Sequence, residues 1–304
     1  MDSIKQNLYE NIDLNNIDEN NAYNIRENGK LASRNSTKEV KIETKKDNPG
    51  IIITVKKNSK DNVVQIPVII TDSGTHDKVY NDFIINENAS VTILAGCAIH
   101  NDCDNDTSHS GIHTFKIAKN AKVKYIEKHF GCGTYEKKEI NTDTIVELSE
   151  NAELIIETTQ IGGIEKANRK TIANLSNNSV LTINEKLLTS NNEKVKTSFD
   201  IKLNGYDSKC NVISRSIAKN ESKQEFVSNM VGNEKSFGHV ECDAILMDNA
   251  SITSTPKIKA NTKNAMLSHE AAIGKIAEDE IIKLMTLGLT EKEAENEIIK
   301  GFLN

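Results

Sequence analysis

Asn88-Ala89-Ser90-Val91-Thr92-Ile93 is a turn followed by an alternating strand, and the chain repeats it. Asn120-Ala121-Lys122-Val123-Lys124-Tyr125 and Asn151-Ala152-Glu153-Leu154-Ile155-Ile156 follow at intervals of 32 and 31 residues. Weaker copies are Asn177-Asn178-Ser179-Val180-Leu181-Thr182 and Asn249-Ala250-Ser251-Ile252-Thr253. Asn tolerates left-handed backbone angles, so it suits the corner of a stacked coil, and the small Ala beside it allows a tight bend. Self-similarity at roughly 20–50 residues is the mark of a solenoid, in which each coil covers the apolar face of its neighbour. The strands are short and β-branched, and no helices separate them. An antiparallel sandwich is the alternative, but its hairpins would turn about every 8–12 residues. The expected fold is an all-β core built as a parallel β-helix.

Around this core, residues 1–50 are polar and Asn-rich and read as an N-terminal arm with a short helical segment. Asp47-Asn48-Pro49-Gly50 is a strong turn, and strands follow at Ile51–Val55 and Val63–Ile70. The β-helix is expected over 51–268. After it the period changes. Ile281, Ile282, Leu284 and Met285 fall on one helical stripe within Glu278–Met285. Gly288 breaks that helix. Thr290 and Glu293 then form a capping box for a second helix presenting Ala294, Ile298 and Phe302. A helical segment over 269–304 is too short to be a domain. It either docks a partner or caps the end of the solenoid.

Composition narrows the function. The chain has 304 residues, 37% apolar, with three Pro and no Trp. The formal net charge of −6 and the absence of a basic block argue against nucleic acid, which needs clustered Lys and Arg. No stretch approaches the roughly 20 apolar residues of a membrane span. The N-terminus lacks the apolar core of a signal peptide, so a cytoplasmic protein is expected. Its five cysteines should then be thiols, metal ligands or redox groups.

The densest chemistry lies in Gly96–His113, which holds Cys97, Cys103, Asp102, Asp104, Asp106, His100, His109 and His113. The next repeat ends in His129-Phe130-Gly131-Cys132-Gly133. Coil stacking is expected to bring Cys97, Cys103 and Cys132 to one edge. Three thiolates are soft ligands, suited to zinc, copper(I) or an iron–sulfur cluster. A cluster with three Cys ligands leaves one iron open, which suits assembly and handover. Gly96, Gly131 and Gly133 would let backbone N–H groups approach cluster sulfides. Each Cys taken alone is equally a small buried hydrophobe, and this is the expectation for Cys210 and Cys242. Asp102, Asp104 and Asp106 open like a calcium loop, but Thr107 and His113 stand where Gly and Glu are needed. A solvated acidic loop able to hold Fe(II) weakly is the better description. His269-Glu270 could bind iron or move protons. It could equally start a helix, with Ser268 as N-cap. No Walker A pattern, dinucleotide fingerprint or nucleophile elbow occurs, and the chain is not expected to be an enzyme. Few aromatics argue against a polysaccharide-cleaving β-helix.

From about residue 85 the chain also resembles the SufB/SufD family of iron–sulfur cluster assembly scaffolds. The resemblance rests on Ser214-Arg215-Ser216-Ile217-Ala218, on Gly238-His239-Val240-Glu241-Cys242-Asp243-Ala244-Ile245-Leu246, and on His269-Glu270-Ala271 followed by Ile276. The turn Leu287-Gly288-Leu289-Thr290-Glu291 adds to it. It implies a right-handed β-helix flanked by helical ends. It also implies a non-catalytic scaffold that receives iron and sulfur from a donor, builds a transient cluster, expected as [4Fe–4S], and serves apo-proteins. The C-terminal helices would dock a SufC-like ABC ATPase through Leu284, Leu287, Leu289, Ile298 and Phe302. Gly96-Cys97-Ala98 resembles the family's sulfur-accepting segment, and His269 and Glu270 match interface residues implicated in cluster binding. The short chain is similar to minimal archaeal scaffolds that work as homodimers. Two departures stand out. Asp248-Asn249-Ala250-Ser251 carries no thiol where SufB has a second cysteine, and Cys103 and Cys132 are additional. The cluster is therefore expected at Cys97, Cys103 and Cys132, with His269 and Glu270 as accessory groups. A metal-free adaptor that regulates the ATPase is the alternative.

Overall fold

The computed structural model describes residues 3–303. Helix α1 (Ser3–Asn11) precedes β1 (Ala22–Glu27), β2 (Lys30–Asn35) and β3 (Val40–Thr44). The coils then run through β4 (Gly50–Val55), β5 (Asn62–Ile70), β6 (His76–Ile85), β7 (Ser90–His100), β8 (Thr107–Ile117), β9 (Lys122–Cys132), β10 (Lys138–Leu148) and β11 (Glu153–Ile161). They continue through β12 (Lys166–Leu175), β13 (Val180–Thr189), β14 (Lys194–Leu203), β15 (Ser208–Ala218), β16 (Lys223–Gly232), β17 (Ser236–Leu246), β18 (Ser251–Ala260) and β19 (Ala265–Gly274). Helices α2 (Glu278–Thr286) and α3 (Glu291–Leu303) follow. Odd strands from β5 to β19 stack in one parallel sheet and even strands from β4 to β18 in the other. Each even–odd pair makes one coil, so the chain winds a β-solenoid of about eight turns, as the repeat spacing requires.

The repeat Asn residues do what their side chains allow. Asn88, Asn120, Asn151 and Asn178 all have φ between 57° and 59°, the left-handed region that Asn tolerates. Their amides also stack. Asn120 Nδ2 donates to Asn88 Oδ1 at 2.9 Å, and Asn151 Nδ2 to Asn120 Oδ1 at 3.0 Å. Inside the coils, alternate residues point inward and the β-branched side chains fill a thin core. Phe83 and Phe115 stack at 4.3 Å between ring centroids, with the Tyr125 ring edge-on to Phe115.

The N-terminal arm is more ordered than its composition suggests. Residues 22–44 form three strands. β1 pairs in parallel with β5 and antiparallel with β2, while β3 pairs antiparallel with β4. Helix α1 and the turn after it lie on the outer face of β5 and β7 and bury Leu8, Tyr9 and Ile12 against Ile69 and Ala98. Gly96 belongs to this contact. A Cβ there would sit 3.0 Å from Ile12, so the glycine makes room for the helix rather than for a cluster sulfide.

His269-Glu270 is also corrected. Both residues lie within β19, with His269 beside Val240 and Glu270 beside Glu241, and the first tail helix starts only at Glu278. The tail helices themselves match the sequence pattern. Gly288 has φ +97°. The Thr290 N–H donates to Glu293 Oε2 at 2.8 Å, and the Glu293 N–H to Thr290 Oγ1 at 3.3 Å, closing the capping box. Helix α3 lies against β15 and buries Ala294 and Ile299. No helix among the described residues is long and apolar enough to cross a membrane.

Candidate functional site

The structure separates the three thiols that the sequence suggested would meet. Cys97 is 2% exposed and points into the solenoid with Ile70, Ile99 and Ile140. Cys132 sits three residues beyond the register partner of Cys97, since Cys97 pairs with His129 and His100 with Cys132. It therefore points to the opposite face, where it packs beside α1. Cys103 is exposed on the Asn101–Asp106 loop between β7 and β8. One metal centre cannot draw on thiols at an interior wall, an outer face and a loop. Among the described residues, no group of three or more His, Cys, Asp or Glu side chains is arranged to hold a metal ion. The acidic loop is also committed elsewhere. Asp102 accepts from Thr134 and His100, and Asp104 pairs with Lys137.

Around Cys97 the interior is polar, which sequence periodicity did not reveal. Cys97 lines a cavity of about 20 Å³ with His109, His113, Glu127 and His129. That is room for about one water molecule, or a sulfur atom, but not a cluster. The polar groups continue along the axis. Arg26 holds Asp77 through two hydrogen bonds of 2.6 and 3.0 Å, and His109 Nδ1 lies 3.2 Å from the same carboxylate. Glu127 accepts from the Tyr125 hydroxyl at 2.9 Å. Arg169 donates to Gln160 and His129 and pairs with Glu185, which also accepts from Thr197 and Ser214. Because buried charge is costly unless paired, the charged groups of this column are paired with one another, while Arg169 Nε and Gln160 Nε2 have no hydrogen-bond partner among the described residues. Burial alone would raise the Asp77 carboxyl, yet the hydrogen bonds from His109 and Arg26 hold it well below its ordinary range. Burial lowers His113 to about 4, with Glu127 opposing the shift, so its ring is neutral near pH 7. Burial also pushes the Cys97 thiol up, and Asp77 and Glu127 add to it. Cys97 is therefore protonated at rest.

The far end of the solenoid is different. β18 and β19 are the outermost strands of their sheets. Met266, Ile273 and Ile258 on them are exposed. His269 faces inward, and its Nε2 is buried without a hydrogen-bond partner among the described residues. Burial and His239 hold its ring below the ordinary imidazole value, which leaves it neutral and able to ligate. Cys242 lies on the same inward face of the adjacent strand, one diagonal step away, since Val240 pairs with His269 and Cys242 with Ala271. Burial pushes its thiol up to about 11, a hydrogen bond with Ser254 working the other way. On the outer face, His239 approaches Glu241 at 3.7 Å and Ser268 at 2.8 Å, beside Glu270. The sequence signal for Cys242 was present in the Glu241-Cys242-Asp243 stretch. A single buried Cys in a strand gives no reason to expect more until its neighbours are known.

Of the tail residues read as docking contacts, Leu287 is 80% exposed, while Leu284, Leu289, Ile298 and Phe302 are half-buried. Ile282 and Met285 join Leu287 on the open side of α2.

The family model for the SUF-system iron–sulfur cluster assembly SufBD core domain matches residues 68–302. A protein of Pyrococcus horikoshii called an iron–sulfur cluster assembly SufBD family protein is 30% identical over 230 residues, covering 75% of this chain and 69% of its own length. One of the same description from Methanocaldococcus jannaschii is 29% identical over 239 residues, 77% of this chain and 74% of its own. A homolog from Methanothermobacter thermautotrophicus is 27% identical over 244 residues, 79% of this chain, but the match spans only 58% of its length.

Proposed function

The chain belongs to the SufBD family of iron–sulfur cluster assembly proteins, and from that premise we propose that it is a non-catalytic scaffold whose open terminal coil holds the nascent cluster. The observation that carries this reading is the pairing of two features at one end. The outermost strands offer unpaired backbone edges, which are templates for another chain. The inward face beside them presents His269 with its unpartnered Nε2 and the thiol of Cys242. A second copy docked edge to edge would extend both sheets, cover Met266 and Ile273, and double the ligand set. The cluster is then cargo: a transient [4Fe–4S] group built from iron and donated sulfur and passed to apo-proteins. Glu270 and Glu241 would be accessory groups on the outer side. Thiolate formation at Cys242 releases a proton on iron binding.

A SufC-like ATPase would seat on the apolar strip of Ile282, Met285 and Leu287, while α3 anchors the tail to β15. Leu287→Asp should then abolish co-purification with the ATPase and leave the β circular dichroism unchanged. A loss of β signal would mean that the tail serves the core. The second reading, a metal-free adaptor, draws on the separation of Cys97, Cys103 and Cys132. Anaerobic purification followed by iron and acid-labile sulfide counts divides the two, because an adaptor holds neither.

A further inference from the structure

The odd-numbered sheet carries two helices on its outer face, with a gap between them. Helix α1 packs on β5 and β7, and α3 on β15. β7 and β15 are four steps apart in the sheet, roughly 19 Å at the spacing of hydrogen-bonded strands. The groove left between the helices has a volume of about 490 Å³, within the roughly 300–1,000 Å³ of small-molecule sites. Register sets its floor. Lys128, Thr159, Lys186 and Arg215 form one row across β9, β11, β13 and β15. Ile126, Glu157, Asn184 and Ile213 form the next row, and both rows line the groove. The carboxylates here are already engaged. Glu157 pairs with Lys124 at 3.0 Å, and Glu185, beneath the floor, accepts from Arg169, Thr197 and Ser214. Lys128 pairs with Asp13, in the turn after α1. Arg215 has no hydrogen-bond or ion-pair partner among the described residues, although Asp243 follows it in the same row. Lys186 stands directly beside Arg215. Like charges opposite each other on neighbouring strands repel, so this pair favours an anion above it.

We propose that this groove binds a small organic polyanion, one carrying two or more carboxylate or phosphate groups on a short carbon body. Arg215 supplies the recognition, because its planar guanidinium matches either oxyanion with two parallel hydrogen bonds. Lys186 adds a second charge, and the Thr159 hydroxyl and the Asn184 amide add neutral hydrogen bonds from the strands between. Ile126 and Ile213 give the carbon body an apolar surface on each side of the second row. The cations, the hydrogen-bonding groups and the apolar contacts therefore converge on one concave floor, which a flat patch of surface lysines does not provide. The site lies on the outer face of the sheet, and the inference does not depend on where the cluster is held.

The test is isothermal titration of the full chain, at about 0.15 M salt so that exposed charges are screened, with citrate and separately with fructose 1,6-bisphosphate. At least one of them should bind at one site per chain, and the tighter of the two tells carboxylate from phosphate. Arg215→Gln should weaken that binding by about tenfold or more, the loss of a charge-assisted pair of hydrogen bonds. Arg215→Lys keeps the charge but not the fork and should give a smaller loss. Both variants should keep the β circular dichroism, since Arg215 is partly exposed. Sulfate has the charge without the carbon body and should bind more weakly than the better probe. Lys194 and Lys223 also stand side by side, on the other sheet, and serve as the control: Lys194→Gln with Lys223→Gln should leave binding unchanged. Three results would overturn the assignment: no binding of either probe, sulfate binding as tightly as the better of them, or the control variant losing as much as Arg215→Gln.

Discussion

The two ends of this solenoid solve one problem in opposite ways. A stack of coils has a first and a last, and each leaves strand edges and an apolar cross-section that the next coil would cover. At the first end the chain covers itself. β1 and β2 extend one sheet and β3 the other, so β2 and β3 are the outermost strands there, and α1 with the turn after it seals the adjoining outer face with Leu8, Tyr9 and Ile12. At the last end, β18 and β19 stay outermost, their side chains are largely exposed, and α2 and α3 pack away from the edge near β15. On the proposed reading, the open end is the one that a partner covers. On that reading the first end serves stability and the last serves association.

The largest effect should follow from Met266→Glu with Ile273→Lys, which put charge on the outermost strand. Sedimentation should then find the dimer proposed for the unaltered chain replaced by monomer, with the melting temperature nearly unchanged. Dimers that survive would move the interface elsewhere. The counterpart at the capped end is Leu8→Ala. Leu8 is fully buried, and its truncation should cost about 3 kcal/mol, read by urea unfolding, without altering association. If assembly changed instead, the division of labour between the ends would be wrong.

The interior column sharpens the comparison through pH. His113 titrates near 4 in the fold against 6.5 in the open chain, so the unfolded state takes the proton first. Its contribution is whole above about 6.5 and is lost as pH falls toward about 4. Asp77, held low by His109 and Arg26, extends the loss below that range. In His113→Asn, the fall in stability between those pH values should flatten. The smallest effect is expected at the corners. Asn120→Ala breaks two links of the amide ladder and should cost about 1 kcal/mol.

The fold could be read from the sequence because a coil corner is a local demand. Asn88, Asn120 and Asn151 announce the left-handed turn and Gly288 the break between tail helices, whatever surrounds them. Residues 22–44 were less legible, since strands such as Lys30–Asn35 carry few apolar residues and are held by pairing to β1 rather than by burial. The site was least legible. Stacking does lay the strands of Cys97 and Cys132 side by side, as the spacing suggested. The two-residue alternation of a strand, however, sends them to opposite faces, and a register of 32 residues between β7 and β9 places His129, not Cys132, beside Cys97. The contact of Cys132 with His100, and of His100 with Asp102, depends on that same register and on two loops meeting, which no single stretch of sequence encodes. His269 was noticed, but its strand setting and its shared face with Cys242 required the last coil to be seen.

On the proposed function, the cluster is held at the open end. Anaerobic reconstitution with iron and inorganic sulfide, followed by metal and sulfide counts per chain, tests it directly in two variants. Cys242→Ser with His269→Ala should lose iron and sulfide together, while Cys97→Ser with Cys103→Ser and Cys132→Ser should keep both. Retention in the first variant and loss in the second would place the cluster away from the open end.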